Sequence, residues 1–448
     1  MTTVTRWPDL VREQIDSDAD AMLDLLAELV RIPSVSGSDA ESGIQHRLAA
    51  WLRAEGLEVD HWRLPLDELT ADPDFPGTEV PRNEAWGLVG RLPGAGADAG
   101  IGAGAAASAG AGASCAGGGR SLMLNGHVDV VPPGDLGAWR TGDPYSGQVI
   151  DGQLYGRGAC DMKGGLVAAL YAVRALRRTG VPLAGDLVVA CVPGEEDGGL
   201  GTFGLLKRGW RTDACVITEP TGLDVVPANG GALTFRLTVP GRSAHASRRT
   251  EGVSAVERFW PVFTALRELE RRRNIDVDPV MRRWDLAYPI EVGTVAAGNW
   301  SSSVPDLLVA EGRLGVALGE SVTTARAALE AAVTEACAAD PWLVENPVTV
   351  EWWGGQFAPG RLPDADGSLL DRVRRAHRQA AGTEAAVWGG PYGSDLRLLT
   401  NLGGIPTVQY GPGDIALAHA PDEAVPVADV RTAAQALALI ALDHCGTV

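Results

Sequence analysis

Apolar residues recur at helical spacing over residues 20–32 and again over 41–55, with Pro33 and Gly37 interrupting between them. This predicts two helices that lay an apolar stripe on a common core. A third stripe, Leu166, Leu170, Val173 and Leu176, stops at Gly180 and predicts an amphipathic helix over 163–179. Between these segments lie short, almost wholly apolar runs at Leu122–Leu124, Leu187–Val192, Ala214–Ile217 and from Ile405. Such continuous runs suit strands buried on both faces, and their alternation with helices indicates an α/β domain. The texture changes after Glu219. Residues 233–239 alternate with a period of two, and the predicted order then runs helix 252–272, strands 289–296 and 306–316, helix 322–338 and strand 346–353. A βαββαβ order is that of a ferredoxin-like module. From 361 the helix, buried strand, helix pattern returns. The expected architecture is thus one discontinuous α/β domain, residues 1–228 and 356–448, around an inserted module, residues 229–355.

Residues 93–119 are almost entirely Gly, Ala and Ser and are expected to form a disordered surface loop, since they cannot bury enough apolar area to offset ordering entropy. No Lys-Ser/Thr follows these glycines, so a phosphate-binding loop is not indicated. With 448 residues there is room for a sizeable core. The formal charge of -19 argues against a nucleic-acid or anionic-membrane surface. The amino terminus lacks a basic region followed by an apolar core, and no apolar run is long enough for a membrane span. The six cysteines are scattered without a CxxC pair, which points to reduced thiols in a cytoplasmic protein.

The chemistry gathers where the apolar runs end. They lead into His127 and Asp129, into Glu195-Glu196-Asp197, into Glu219, and, after a Gly-rich loop, to His419, while Asp161 opens the helix that begins near 163. Ligands of α/β sheets collect at the carboxyl ends of strands, so these side chains are expected to converge on one pocket. Two imidazoles and several carboxylates make a donor set suited to zinc or a similar divalent ion. Each motif has a plainer reading: His127 and Asp129 as a turn pair, Asp161 as a helix N-cap, the acid run as a solvated loop. Two cations at one pocket would relieve the repulsion of adjacent acids, and one of Glu195 and Glu196 would then be free to act as a base.

These stretches resemble the zinc-dependent family of acetylornithine deacetylase, succinyl-diaminopimelate desuccinylase, aminoacylase and glutamate carboxypeptidase. The resemblance rests on Gly126–Gly134, Trp139 with Asp143-Pro-Tyr, Tyr155–Gly165, Gly194–Asp197, Thr218-Glu-Pro220, Gly241–Ser247 and His419–Glu423, in the family's order along most of the chain. It implies a zinc-exopeptidase-like catalytic domain with a mixed central sheet, the inserted module serving as lid and dimerisation domain. It implies two zinc ions, with cobalt or manganese as substitutes: Asp161 bridging, His127 and Glu219 on one ion, Glu196 and His419 on the other. Asp129 would support His127, and Glu195 would be the general base and acid. His245 would reach the active site of a second copy and stabilise the oxyanion, which implies a homodimer. Arg313 would grip the substrate carboxylate, with Gly390, Ser394 and Asn299 as further substrate contacts. Two positions depart from the family pattern, Ser254 and Ser303, each standing where Asn is expected.

The activity implied is removal of the acyl group from an N-acyl amino acid. Glu219 favours deacylases and carboxypeptidases, since many aminopeptidases and dipeptidases of the family carry Asp there. An exopeptidase built on the same metal centre is the nearest rival, and a metal-free binding protein on the same fold is another.

Overall fold

The computed structural model describes residues 7–95, 118–363 and 367–448. The Gly/Ala-rich stretch expected to be disordered lies, for residues 96–117, outside the described residues. The central sheet has six strands, ordered Glu58–Arg63, Trp86–Leu92, Leu187–Val192, Leu122–His127, Ala214–Ile217 and Thr407–Gln409. The last four run parallel, and the first two join antiparallel to form a mixed sheet.

Alternate residues of these strands enter two separate cores. Leu187, Val189 and Cys191, with Leu122, Leu124 and Val216, pack under the helices Asp39–Ala54, Gly164–Arg178 and Val427–Cys445. Val188, Ala190 and Val192, with Met123, Cys215 and Ile217, pack on the other face against Phe203 and Leu206 of the helix Leu200–Lys207. Both faces are therefore dry, which is why these strands read as unbroken apolar runs. The predicted helices appear as Ala19–Val30, Asp39–Ala54 and Gly164–Arg178. The amino-terminal helix Trp7–Ser17 and the strands Glu58–Arg63 and Trp86–Leu92 were not legible in the pattern. The exposed antiparallel edge strand Glu58–Arg63 is only half-buried along its length, so its apolar period is weak.

Within residues 231–357 a second sheet of four antiparallel strands is ordered Ile290–Ala297, Leu307–Val316, Gly231–Pro240, Thr349–Phe357. Together with the helices Ala255–Arg273 and Val322–Ala338 this is the ferredoxin-like order, and it has its own core of Phe235, Leu237, Phe259, Leu266, Leu314 and Leu329. The expected helix start at 252 shifts to Ala255 because Ser254 caps it, accepting from the Glu257 N–H at 3.4 Å. Chain entry and exit lie side by side: Ala228–Asn229 pairs antiparallel with Gly360–Arg361. No helix among the described residues is long and apolar enough to cross a membrane.

Candidate metal centre

The parallel strands deliver their following residues to one edge of the sheet. His127 ends its own strand, Glu195 and Glu196 follow Leu187–Val192, Glu219 follows Ala214–Ile217, and His419 lies in the loop after Thr407–Gln409. Asp161 stands in a short turn, Ala159–Lys163, ahead of the helix Gly164–Arg178. The turn is held from below by one of the chain's two lysines. Lys163 is fully buried and donates to the carbonyls of Leu29 and Ile32 at 2.9 Å each, at the end of the Ala19–Val30 helix. From the side, a β-carbon added to Gly165 would fall 1.7 Å from the Thr218 carbonyl oxygen. Backbone contact therefore sets the spacing between the Asp161 turn and the Glu219 strand end.

Asp161 is the hub. Its Oδ1 lies 3.1 Å from His127 Nε2, and its Oδ2 lies 3.4 Å from His419 Nε2. His419 Nε2 is also 3.0 Å from Glu196 Oε2. Ligand atoms of His127, Glu195 and Glu219 lie within 4.8 Å of one another, as do those of His127, Asp161 and Glu196. The structure thus brings Glu195 and all five predicted ligands to one place. His419 adopts a left-handed φ of 62°, uncommon for a residue with a β-carbon.

Asp129 meets His127 through its main chain rather than its carboxylate. His127 Nδ1 is 2.9 Å from the main-chain oxygen of Asp129 and 3.7 Å from its carboxylate. The carboxylate instead accepts from the N–H of Glu195 at 3.1 Å, the N–H of Glu196 at 3.2 Å and Ser36 Oγ at 2.8 Å. It therefore fixes the backbone of the acid loop, while its carbonyl orients the imidazole.

The electrostatics explain what such a cluster needs. Burial, then the neighbouring Glu219, pushes the Glu195 carboxyl well above its ordinary range, and burial with Asp161 does the same to Glu219. Burial and Asp161 also raise Glu196. The imidazoles answer in the opposite sense. Burial works against His127 carrying charge, yet its hydrogen bond to Asp161 and the charges of Asp129 and Glu219 raise it well above normal. Glu196 above all raises His419, to about 11. Protons on the imidazoles supply the positive charge that the carboxylates require. Divalent cations supply it better, leaving neutral imidazole nitrogens and carboxylate oxygens as donors. The donor set fits such ions.

Sequence reasoning passed over Glu423, four residues past His419. It is completely buried, its Oε1 accepts from the N–H groups of Cys160 and Asp161 at 3.0 Å each, and its Oε2 binds Arg157 at 2.5 Å. Burial, then the Asp161 charge, raises its carboxyl to about 7. Its place in the His419–Glu423 motif was the available signal. Glu423→Gln keeps the shape but weakens the grip on the Asp161 backbone. We expect metal affinity and kcat/KM each to fall ~10–100-fold, the range for partners that orient ligands, as read by metal titration and steady-state kinetics.

The other predicted residues divide. Arg313, on the strand Leu307–Val316, lines a cavity of 430 Å3 together with Glu195, Glu196, His419, Tyr392 and Gly393. Gly390 is packed so closely that an added β-carbon would lie 2.4 Å from Asn229 Nδ2. Ser394 is buried, its hydroxyl held by Asn229 at 2.8 Å and Gln409 at 2.6 Å. His245 and Asn299 are exposed on the module and do not line the cavity. His245 caps a short turn through Ser247 and bridges to Ser303.

A profile of peptidase family M20/M25/M40 matches residues 123–443, which include every residue of the cluster. The chain belongs to this family. This family generally binds divalent metals, and membership together with the hydrolases among its relatives makes the chain a hydrolase acting on amide bonds. It is 26% identical over 444 residues to an N-formyl-4-amino-5-aminomethyl-2-methylpyrimidine deformylase of Bacillus subtilis (strain 168), covering 93% of each chain. It is 31% identical over 333 residues to a succinyl-diaminopimelate desuccinylase of Gluconacetobacter diazotrophicus, covering 70% of this chain and 78% of the relative. Human carnosine dipeptidase 1 shares the fold, with a TM-score of 0.73, 17% identity and 98% of each chain covered.

Proposed function

We propose that this member of the family is a dinuclear zinc amidohydrolase that removes the acyl group from an N-acyl-L-amino acid. The carrying observation is Asp161, whose two carboxylate oxygens face different imidazoles, His127 and His419, inside one buried group of acids. Asp161 would bridge the ions, with His127 and Glu219 on one and Glu196 and His419 on the other. Bound divalent ions supply Lewis-acid polarisation of the amide carbonyl and acidify water.

The chain's own residues do the rest. Glu195 takes the proton from the attacking water and returns it to the departing amine nitrogen, so it must stand beside the ligands without being one. Burial and Glu219 raise its carboxyl above the ordinary range, in the direction that suits a group which accepts a proton and then returns it. Asp129 keeps it there through the Glu195 N–H. Arg313, in the same cavity, grips the substrate carboxylate. His245 and Asn299, exposed on the inserted module, serve a second copy of the chain in a homodimer, His245 holding the developing oxyanion there. Gly390 and Ser394 act on the substrate indirectly, through the packing of the loop that carries Tyr392.

Deacylation is favoured over peptide hydrolysis by Glu219 and by the names of the two relatives, both of which describe removal of an acyl group from nitrogen. The test is a panel on protein reconstituted with zinc, cobalt or manganese: formyl-, acetyl- and succinyl-amino acids, including acetylornithine and succinyl-diaminopimelate, against dipeptides. N-acyl amino acids should be cleaved with kcat/KM at least ~10-fold above dipeptides, a margin of about 1.4 kcal/mol. Cleavage of dipeptides alone would move the chain to the exopeptidases, and no turnover by fully metal-loaded protein would end the enzymatic reading.

A further inference from the structure

Arg313 is the sole lysine or arginine among the described residues that line the cavity, and it is already engaged. Its Nη2 donates to Glu79 Oε1 at 3.0 Å, and the same oxygen accepts from Thr234 Oγ1 at 2.9 Å. Glu79 belongs to the long connection between the helix Leu66–Thr70 and the strand Trp86–Leu92, and it lines the cavity beside Glu195, Glu196 and His419.

This carboxylate is built into position. The third acid of the Glu195-Glu196-Asp197 run secures the Glu79 backbone. Asp197 Oδ2 accepts from Thr78 Oγ1 at 2.6 Å and from the N–H groups of Glu79 and Val80 at 3.1 Å each. Arg82 ties the arrangement down, binding both oxygens of Asp197 at 2.8 and 2.9 Å and Glu41 at 3.0 Å. On the far side, Gly354, with φ of 63°, passes so close that an added β-carbon would lie 2.5 Å from Glu79 Cγ. Arg82 is consumed by these partners, so it offers the cavity no charge. The Arg313–Glu79 pair itself is partly exposed, 44% and 25% for the two side chains. A pair in that setting is weak enough to exchange with an incoming carboxylate.

We propose that Glu79 is a specificity-determining residue: a resident carboxylate that competes with the substrate carboxylate for Arg313 and so limits the preference of the site for anionic amides. It acts through Arg313, and the proposal rests on the reading of Arg313 as the carboxylate grip. With Glu79 in place, a substrate carboxylate must displace it, while an amide lacking that charge meets a neutralised arginine. Selectivity here comes from an added unfavourable exchange as well as from attraction.

The test compares N-acetyl-L-alanine with N-acetyl-L-alaninamide in the wild type, Glu79→Gln, Arg313→Gln and the double variant. Glutamine keeps the hydrogen bond to Thr234 and removes the charge. The kcat/KM ratio of acid to amide should rise about two- to fivefold in Glu79→Gln, the upper part of the range for a partly exposed ion pair. The rise should fall on KM rather than kcat, and should vanish when Arg313 is also replaced. Calorimetric binding of N-acetyl-L-alanine to metal-free protein should tighten by the same factor in Glu79→Gln. Unchanged ratio and unchanged binding would overturn the role of Glu79. If the loaded wild type turns over neither compound, the acyl-amino-acid panel decides the deacylase reading, and the binding measurement on metal-free protein still decides Glu79.

Discussion

Glu195→Gln should leave a folded, metal-loaded protein whose kcat is lower by roughly 10^2–10^4-fold, the usual contribution of a positioned general acid–base. The variant keeps volume, burial and the N–H held by Asp129. It removes one negative charge from a site where burial and Glu219 already oppose that charge, so stability should hold or rise. Metal content measured beside kcat separates the two roles open to this residue. A ligand would take metal with it when replaced; a base would not. Full turnover in this variant would remove Glu195 from the mechanism, and lost metal with lost turnover would recast it as a ligand.

Asp161→Ala carries the other large effect. Both of its oxygens face imidazoles, so its removal should disturb both halves of the cluster at once. We expect the bound metal to fall well below that of the wild type and kcat/KM to drop by more than about 10^3-fold, since several kcal/mol of Lewis-acid stabilisation are lost. Elemental analysis of the purified variant and kinetics at saturating zinc check this. His419→Ala is the useful comparison: if one ion survives there and neither survives in Asp161→Ala, Asp161 is the shared ligand. Equal metal content in the two variants would remove the bridge.

What the amino-acid order disclosed follows from how local each signal was. Strands buried on both faces leave unbroken apolar runs, and the acids just past Val192 and Ile217 stand out against them, so the sheet and most of the cluster were readable. The ferredoxin-like module was readable because its strands and helices keep clean periods around their own core. Which atom of Asp129 meets His127 was not legible, because the order of residues cannot say whether an imidazole meets a carboxylate or the carbonyl beside it. Glu79 and Arg82, and the part Asp197 plays in holding them, were silent for a different reason. Their meaning lies in pairings across more than a hundred residues of sequence, and nothing local marks Glu79 as lining the cavity beside Glu195 and His419.

The paired crossing at Ala228–Asn229 and Gly360–Arg361 has a consequence for the order in which the protein is made. His127, Asp161, Glu195, Glu196 and Glu219 all leave the ribosome before the inserted module, whereas the edge strand Thr407–Gln409 and His419 follow it. A nascent chain therefore carries one of the cluster's two histidines together with its four acids until the segment after the module docks. The predicted ligand set is complete only once that segment has docked, and a chain cut short within the module holds an unfinished one.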